Sequence, residues 1–425
     1  DPSRQGAGLV AHLGAGCGPL APREFVRAMI ALRCRTLSMG FSGVDPAAAE
    51  ALLSLINAEV CPAVPMIGSV GASGDLVPLA HVARVVAGEG TAIDDAGRAV
   101  DAGEALADAG LAPLALSARD ALAIVNGTAF MTAGAALAGA RAERLLRRAE
   151  DLTGWAYRSL GARGQALDRR LHAARGHRGQ MRSAERIESE AAGHGAFEDE
   201  SRPLQEVYSI RCAPQVLGAC RDQLEHAIRV IEREIEGVSD NPVVCGTPND
   251  PAVLHGGNFQ GQQIAFAADT LNSAMTQTAN LIERQLDAIL DPDTSGAPLL
   301  LAWQPGATSG MAGAQITATA LAAEMRRNAT PSAVASLPTN GRNQDIVSMG
   351  AMAARVAYEQ AERLASVLAI HAIALGQLAF LRSRGRARGA QTETPEWMPA
   401  FEGFEADRSL HADIERIARD FLRNG

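Results

Sequence analysis

The chain has 425 residues, of which 47% are hydrophobic, 20% charged and only 4% aromatic, and this is enough apolar material for a large core. Its net charge of −9 and sequence pI near 5.6 argue against a general attraction to nucleic acid or to anionic lipid. All 39 lysine-or-arginine residues are arginine, so a lysine Schiff base, and with it pyridoxal phosphate chemistry, is excluded on this chain.

The cysteine and histidine spacings indicate neither a metal site nor a disulfide framework. The six cysteines include no C-x-x-C pair and the nine histidines no H-x-x-x-H pair. We therefore expect reduced thiols in a cytoplasmic protein without a metal. The first residues lead into no sustained apolar run, so we predict no signal peptide.

Helical periodicity dominates the chain, and strand signals are short, near residues 63–66 and 243–244. Four helices are predicted in chain order: one beginning at Pro22, one from Leu224 to Ile235 that stops at Gly237, one from Gln262 to Leu290 and one from Met349 to Leu381. These patterns predict a mainly α protein with its chemistry on loops at helix ends. The candidate loops are 68–75, 238–242, 255–261 and 338–345.

We divide the chain into an N-terminal part (1–190), a central long-helix bundle (191–385) and a C-terminal tail helix (386–425) that together form effectively one structural unit. The Gly- and acid-rich stretch from Gly193 to Pro203 is predicted to be a flexible connector. The apolar stretch from Leu364 to Leu381 has nearly the length of a membrane span. Because we find no second candidate span, we interpret it as a buried core helix.

An arginine-rich stretch follows that helix, with arginines at every second position from Arg382 to Arg388. It lacks interleaved aromatic residues, so we interpret it as a solvated loop and expect no nucleic-acid partner.

The most informative motif is Ala72-Ser73-Gly74 in the loop 68–75, with Asp75 next along. Glycine at position 74 allows its backbone nitrogen to approach the Ala72 carbonyl carbon in a strained turn. Cyclisation and loss of the Ser73 hydroxyl as water would leave an exocyclic methylidene, which is an electrophile. Alone, the tripeptide is common in Gly/Ser loops. The loop lacks the glycine order of a phosphate-binding loop.

Together with motifs spread nearly end to end, this loop resembles the methylidene-imidazolone (MIO) family of aromatic amino-acid ammonia-lyases and aminomutases. The further motifs are Val125-Asn126-Gly127-Thr128, Tyr208-Ser209-Ile210-Arg211-Cys212-Ala213-Pro214-Gln215, Asp240-Asn241-Pro242, Gly256-Gly257-Asn258-Phe259, Ser309-Gly310 and 343–348. The resemblance implies an antiparallel bundle of long helices of the ammonia-lyase (fumarase/aspartase-like) type. It also implies a homotetramer whose active sites are shared between subunits, and MIO formed autocatalytically from residues 72–74, with no metal or nucleotide.

The resemblance also implies roles for individual residues. Arg211 would hold the substrate carboxylate through its guanidinium fork; the alternative is a structural ion pair. Asn126 and Tyr208 would hydrogen-bond near the ring and the developing amine. Asn343 and Gln344 would line the carboxylate and ring pocket, although a buried amide there would equally serve to satisfy backbone groups.

Three positions bear on the substrate. The pair His12-Leu13 stands where the family faces the substrate ring, and a histidine there can bond a phenol hydroxyl, which favours tyrosine; the alternative is a helix-end histidine bonded to backbone. Histidine lyases have Gln-Glu at the positions of Asn343 and Gln344, and a histidine at the position of Gln260. The sequence therefore favours L-tyrosine over histidine.

The chain departs from the family in ways that leave alternatives open. Family members carry, upstream of the matched region, a loop with a catalytic tyrosine base, and the three tyrosines here, Tyr157, Tyr208 and Tyr358, lie elsewhere. We expect the sequence to lack that upstream loop by truncation. The leading hypothesis is a tyrosine ammonia-lyase that forms p-coumarate. An aminomutase, a histidine or phenylalanine ammonia-lyase, and an inactive scaffold homologue remain alternatives.

Overall fold

The computed structural model describes residues 2–192, 202–247, 249–389 and 391–424. Most of the connector predicted between Gly193 and Pro203 therefore lies outside the described residues. The structure is 62% helix and 7% strand, which confirms the mainly α class.

Sixteen α-helices lie within the described ranges. They are α1 (Pro2–Leu13), α2 (Arg23–Ser38), α3 (Pro46–Asn57), α4 (Leu76–Val86), α5 (Ala102–Asp108), α6 (Ala118–Val125), α7 (Ala129–Leu160), α8 (Arg169–Arg175), α9 (Arg178–Ala192), α10 (Tyr208–Arg211), α11 (Ala213–Glu236), α12 (Gln262–Leu290), α13 (Pro292–Ser295), α14 (Ala312–Arg327), α15 (Gly350–Ser383) and α16 (His411–Arg423).

The strands of the described residues are short and form small antiparallel sheets. They are β1 (Cys17–Leu20), β2 (Cys61–Pro62), β3 (Pro65–Ile67), β4 (Thr91–Ile93), β5 (Ala99–Asp101), β6 (Val243–Thr247) and β7 (Asp250–Leu254). Strand β1 pairs with β3, β4 lies between β2 and β5, and β6 pairs with β7.

The four predicted helices are all present, although α11 begins at Ala213, eleven residues before the predicted start at Leu224. Helix α12 has the bounds predicted from the sequence, α11 ends at Glu236 just before Gly237, and α15 begins at Gly350. The 32-residue helix α7 was not singled out from the sequence. Its first half is rich in alanine and glycine, which carry little of the periodic apolar bulk on which the prediction depends.

The chain divides into two compact units. The first comprises residues 1–138, 227–269 and 331–358, and the second comprises 139–226, 270–330 and 359–425. Four of the five boundaries fall within the four longest helices, α7, α11, α12 and α15, and the fifth, between residues 330 and 331, follows α14. The division at residues 190 and 385 made from the sequence stays a prediction.

In the first unit, an aromatic cluster packs α2 against the start of α7. The ring centroids of Phe25 and Phe130 lie 4.8 Å apart, and Tyr358 meets Phe25 edge-on at 5.4 Å. Both phenylalanines are fully buried, and the Tyr358 hydroxyl donates to Glu24 at 2.7 Å. This packing fixes the start of α7, and with it the turn of residues 126–128 just before that helix.

In the second unit, side chains of long helices hold the short helix α10. The Tyr157 hydroxyl donates to the carbonyl of Ile210 at 2.9 Å, and the Gln285 amide donates to the carbonyl of Ser209 at 2.9 Å. Burial raises the pKa of Tyr157, so this phenol stays protonated and remains a donor. These bonds anchor the backbone that carries Tyr208 and Arg211.

Two segments are long and apolar enough to cross a membrane by length and composition: Ala118–Leu160, and the helix Gly350–Ser383 that contains the predicted core stretch. The expectation that no second candidate exists was therefore wrong. Within these segments, 83% and 89% of the most apolar windows are buried in the protein, as in helices at the centre of a folded core.

Candidate active site

The loop 68–75 joins β3 to α4 in the first unit, and its glycines set its shape. Gly71 and Gly74 have φ angles of +69° and +68°, which side-chain-bearing residues rarely adopt. A Cβ at Gly74 would lie 2.3 Å from the carbonyl oxygen of Gly127. Only glycine therefore fits at position 74, and the loop is pressed against the turn that follows α6.

Two predicted site residues contact Ser73 directly. The Gln344 amide nitrogen Nε2 donates to the Ser73 hydroxyl oxygen Oγ at 2.9 Å. The Asn126 amide Nδ2 donates to the Ser73 carbonyl at 3.4 Å. Asn126 is only 5% exposed, and its Oδ1 is buried without a hydrogen-bond partner among the described residues. The structure thus brings Ser73, Asn126 and Gln344 together and leaves a buried acceptor beside them.

Asp75 closes the loop from inside the protein. Its backbone N–H donates to the Gly127 carbonyl at 2.7 Å, and its carboxylate accepts from the Met131 N–H at 2.9 Å and the Ser69 hydroxyl at 3.0 Å. The side chain is fully buried. Burial raises the pKa of Asp75 to about 7, although these hydrogen bonds act to lower it. A carboxyl with such a pKa is able to exchange a proton near neutral pH.

A cluster of buried charged side chains stabilises the turn of residues 126–128. The Arg33 guanidinium donates to the carbonyls of Ala123 at 2.7 Å and Ser239 at 2.6 Å, and to the Asp240 carboxylate at 3.1 Å. Arg119 donates to the same carboxylate at 3.0 Å. Arg33 and Asp240 are both fully buried, and burial lowers the pKa of Arg33 to about 10 even though Asp240 raises it.

This cluster reaches the site through a short backbone path. The Ser239 hydroxyl accepts the N–H of Thr128 at 3.2 Å, so the segment held by Arg33 also holds the turn that contacts Ser73 and Asp75. The sequence analysis missed Arg33 and Arg119. The available signal was a lone arginine on the apolar side of α2, near Phe25 and Met29.

His12 and Leu13 lie at the end of α1, also in the first unit. The His12 ring bonds through Nδ1 to the Gly8 carbonyl at 3.1 Å, which is the backbone contact weighed as the alternative to substrate binding. Because a carbonyl accepts only, Nδ1 carries a proton, and in the corresponding neutral tautomer Nε2 is an acceptor. His12 is exposed and Leu13 half-buried.

Gln260 and Asn343 make no contact with Ser73 among the hydrogen bonds of the described residues. Gln260 is half-buried, and its Oε1 is buried without a partner there. Asn343 is exposed, and its N–H bonds the carbonyl of Asn340 at 3.2 Å. Their assigned roles in binding substrate stay predictions.

Tyr208 and Arg211 belong to the second unit. Tyr208 is 71% exposed, and the Arg211 guanidinium lies over its ring, 4.7 Å from the centroid. Arg211 lines a cavity of about 640 Å³ together with Gln205, Glu206 and Gln215. Among the described residues Arg211 forms no ion pair, and its Nε is buried without a partner. The structural ion pair weighed as an alternative is thus absent from that part of the chain.

The first unit fits an MIO group at residues 72–74. Gly74 has a left-handed φ and no space for a side chain, so its nitrogen lies in the kind of tight turn that ring closure would use. The buried Asn126 Oδ1 is an orphaned acceptor next to Ser73. In the described ranges, no group of three or more His, Cys, Asp or Glu side chains is arranged to hold a metal.

Known proteins resemble this chain over almost its whole length. The sequence model of the aromatic amino acid lyase family matches residues 2–396. Tyrosine ammonia-lyase of Cereibacter sphaeroides is 40% identical, with 98% of this chain and 83% of that protein covered. Histidine ammonia-lyase of Geobacillus kaustophilus is also 40% identical, with 96% and 81% covered.

Solved structures agree with the sequence matches. The crystal structure of tyrosine aminomutase from Streptomyces globisporus superposes with a TM-score of 0.89 at 35% identity, with 98% of this chain and 83% of that chain covered. The ammonia-lyase type of fold predicted from the sequence is thereby confirmed. The chain belongs to the aromatic amino acid lyase family and is a carbon–nitrogen lyase.

Proposed function

We propose that this protein removes ammonia from L-tyrosine to give p-coumarate, using an MIO group formed from Ala72, Ser73 and Gly74. The observation that carries the proposal is the buried turn of positive φ at Gly74, with Ser73 between two amide donors, Asn126 and Gln344. An inactive scaffold has no need of such a turn, so this geometry supports an enzyme.

The reaction breaks the bond from Cα to nitrogen and a C–H bond at Cβ, and forms a double bond between these carbons. The MIO group, when formed, supplies an electrophile for the substrate amine. The chain's own residues bind and orient. The Asn126 Oδ1 accepts a hydrogen bond from an N–H of the substrate amine, and Arg211 binds the carboxylate bidentately so that the pose is fixed before reaction.

The preference for tyrosine rests on His12. With its Nδ1–H donated to Gly8, the tautomer with a free Nε2 offers that nitrogen to a phenol O–H. A site that bonds this hydroxyl disfavours phenylalanine, which would leave the acceptor unpaired. The similarity to tyrosine ammonia-lyase is in keeping with this substrate, although the histidine ammonia-lyases are equally similar.

We also propose that the protein is a homotetramer with shared active sites. Large apolar side chains near both site segments are well exposed in the single chain: Leu204 at 72%, Val207 at 52%, Val334 at 73%, Leu337 at 67% and Ile346 at 70%. Exposed apolar residues beside each of these segments favour burial against another copy. The cytoplasmic location expected from the sequence stays a prediction.

A second candidate, tyrosine aminomutase, is favoured by the structural similarity to such an enzyme. It would use the same residues and return the ammonia to Cβ. The two activities differ in how long the product stays bound.

The test is to incubate the full-length protein separately with tyrosine, phenylalanine and histidine. Near-ultraviolet absorbance follows the acrylate product, and chromatography follows β-amino acids. We expect p-coumarate from tyrosine at the highest kcat/KM, and no product from the Ser73→Ala control. Formation of β-tyrosine would reassign the protein as an aminomutase. Silence with every substrate would favour the scaffold.

A further inference from the structure

The Gln344 side chain that contacts Ser73 also bonds a second side chain, that of Asn340. The Asn340 side-chain Nδ2 donates to Gln344 Oε1 at 3.1 Å, while Gln344 Nε2 donates to Ser73 Oγ at 2.9 Å. The three side chains form a directed chain of hydrogen bonds. Because Asn340 occupies the oxygen of the Gln344 amide, the nitrogen is the end left to face Ser73.

The backbone of the loop holds this arrangement. The N–H of Thr339 bonds the Gln344 carbonyl at 3.0 Å, which closes a tight turn. Within it, Asn340, Gly341 and Arg342 have φ angles of +49°, +62° and +70°. Asparagine and glycine tolerate this left-handed region better than most residues. The strain is concentrated where it brings the Asn340 side chain back onto Gln344.

We propose that Asn340 is a positioning residue for ring formation, because it orients the Gln344 amide to donate to the hydroxyl that Ser73 must lose. This inference rests on the proposed function, since it assumes that residues 72–74 cyclise. It gives Gln344 a role before any substrate arrives, in addition to its predicted place in the substrate pocket.

The chemistry requires a donor at this point. In the first condensation, the Gly74 nitrogen bonds the Ala72 carbonyl carbon and a double bond forms between that carbon and the Ser73 nitrogen. The carbonyl oxygen leaves as water with the N–H protons of Gly74 and Ser73. In the second, the Cα–H and Cβ–Oγ bonds of Ser73 break, a double bond forms between Cα and Cβ, and the hydroxyl leaves with the Cα proton as water. Negative charge develops on Oγ as its bond to carbon breaks, and a hydrogen bond from Gln344 stabilises that charge.

The same step changes what Gln344 can do next. Once the Ser73 oxygen has left as water, Nε2 has lost its acceptor, while Asn340 still holds the amide oxygen. The donor then points toward the space in which the substrate reacts. One amide thus serves ring formation first and substrate binding afterwards.

The decisive variant is Asn340→Asp, which keeps the size and the tolerance for positive φ. A carboxylate accepts only, so it attracts the Gln344 NH₂ and turns the amide oxygen toward Ser73. We expect cyclisation to slow by about tenfold, the effect of losing one hydrogen bond to the leaving oxygen. The measurement is the intact mass of full-length chain sampled over time in cell-free synthesis, which reports the fraction lighter by two waters.

Gln344→Met removes the donor itself and should slow mass loss at least as much. Arg342→Ala is the matched control, since it alters the same loop at an exposed side chain that hydrogen-bonds nothing in the described residues. It should cyclise at the wild-type rate. Thermal melting identifies which variants are folded. If either folded variant, Asn340→Asp or Gln344→Met, loses water as fast as wild type, the inference is overturned. If the wild-type chain itself never loses water, the proposed function fails instead.

Discussion

The loop 68–75 and the segment 208–215 carry the two halves of the proposed chemistry. In the single chain the loop makes many contacts, whereas the functional side chains of the segment make few. The loop is held from several sides: Gly74 against Gly127, Asp75 on the N–H of Met131, and Ser73 between two amides. In the segment, Tyr208 is 71% exposed, and Arg211 has a buried Nε with no partner among the described residues.

The loop 68–75 must react with itself to form the proposed ring, whereas the segment 208–215 must bind a free substrate. Cyclisation of a backbone needs close approach and exclusion of water, and one folded chain can supply both. Binding the carboxylate of a free amino acid needs a cation that is not already paired, and Arg211 forms no ion pair within the described part of the chain. The first unit therefore contains the group that we propose matures, while in the second unit Tyr208 is exposed and Arg211 is half-buried.

The largest effect should come from Gly74→Ala. Its Cβ would meet the Gly127 oxygen at 2.3 Å in a backbone of positive φ, so the turn cannot close. We expect no loss of water by intact mass and no ammonia release. The control is Gly97→Ala, which has a similar φ of +77° and no neighbour within 4 Å. It should cost about 1–2 kcal/mol of stability and leave the mass change intact. If the Gly74→Ala chain lost both waters, the close contact between position 74 and Gly127 would not control cyclisation.

The next effect tests the buried ion cluster of Arg33, Arg119 and Asp240. Arg33→Met leaves the fully buried Asp240 with Arg119 alone, and breaking a buried ion pair costs about 3–5 kcal/mol. Denaturant unfolding measures this loss. Arg35→Met, on the same helix, removes only contacts from an exposed guanidinium and should cost less than about 1 kcal/mol. Equal losses for both variants would mean that the buried cluster does not stabilise the turn.

Much of this support could not be read from the sequence. The loop, the Asn126 turn and Gln344 were predicted because each lies in a recognisable motif, and the contacts with Ser73 agree with that grouping. Arg33 lies 206 residues from Ser239 and 207 from Asp240. No local pattern links such distant positions; only the fold brings them together.

The same limit applies to individual side chains. The periodicity of large apolar residues predicted α12 to its ends, because a helix is a local structure. Asn340 gave no signal, since its importance depends on the turn geometry that brings it to Gln344. His12 was predicted to face the substrate, with a backbone bond at a helix end as the alternative, and its bond to the Gly8 carbonyl depends on where α1 ends.

Asp75 offers a smaller, graded effect within the loop region. Burial raises its pKa to about 7 in the folded protein, whereas an unfolded aspartate has a pKa near 3.9. Between these values the native state holds a proton that the unfolded state has released, so stability falls as pH rises from about 4 to about 7. Asp75→Asn removes this cost. Its stability relative to wild type should therefore increase with pH by at most about 1.4 kcal/mol per unit, then level off above pH 7. A difference that is flat across this range would contradict the raised pKa.

The smallest effect tests whether the loop 68–75 of one copy and the segment 208–215 of another copy form one active site. Ser73→Ala and Arg211→Met chains are each expected to be inactive, because one lacks the electrophile and the other the carboxylate ligand. If every site takes its loop from one copy and its arginine from another, random co-assembly leaves about a quarter of the sites with both intact. We therefore expect up to about a quarter of wild-type activity from co-expressed chains, and none when separately purified chains are assayed side by side without exchange. If both regions of a site came from the same chain, no mixture would restore activity, because every chain carries one defect. Activity of the mixture is thus the measurement that separates a self-contained site from one completed by a neighbour.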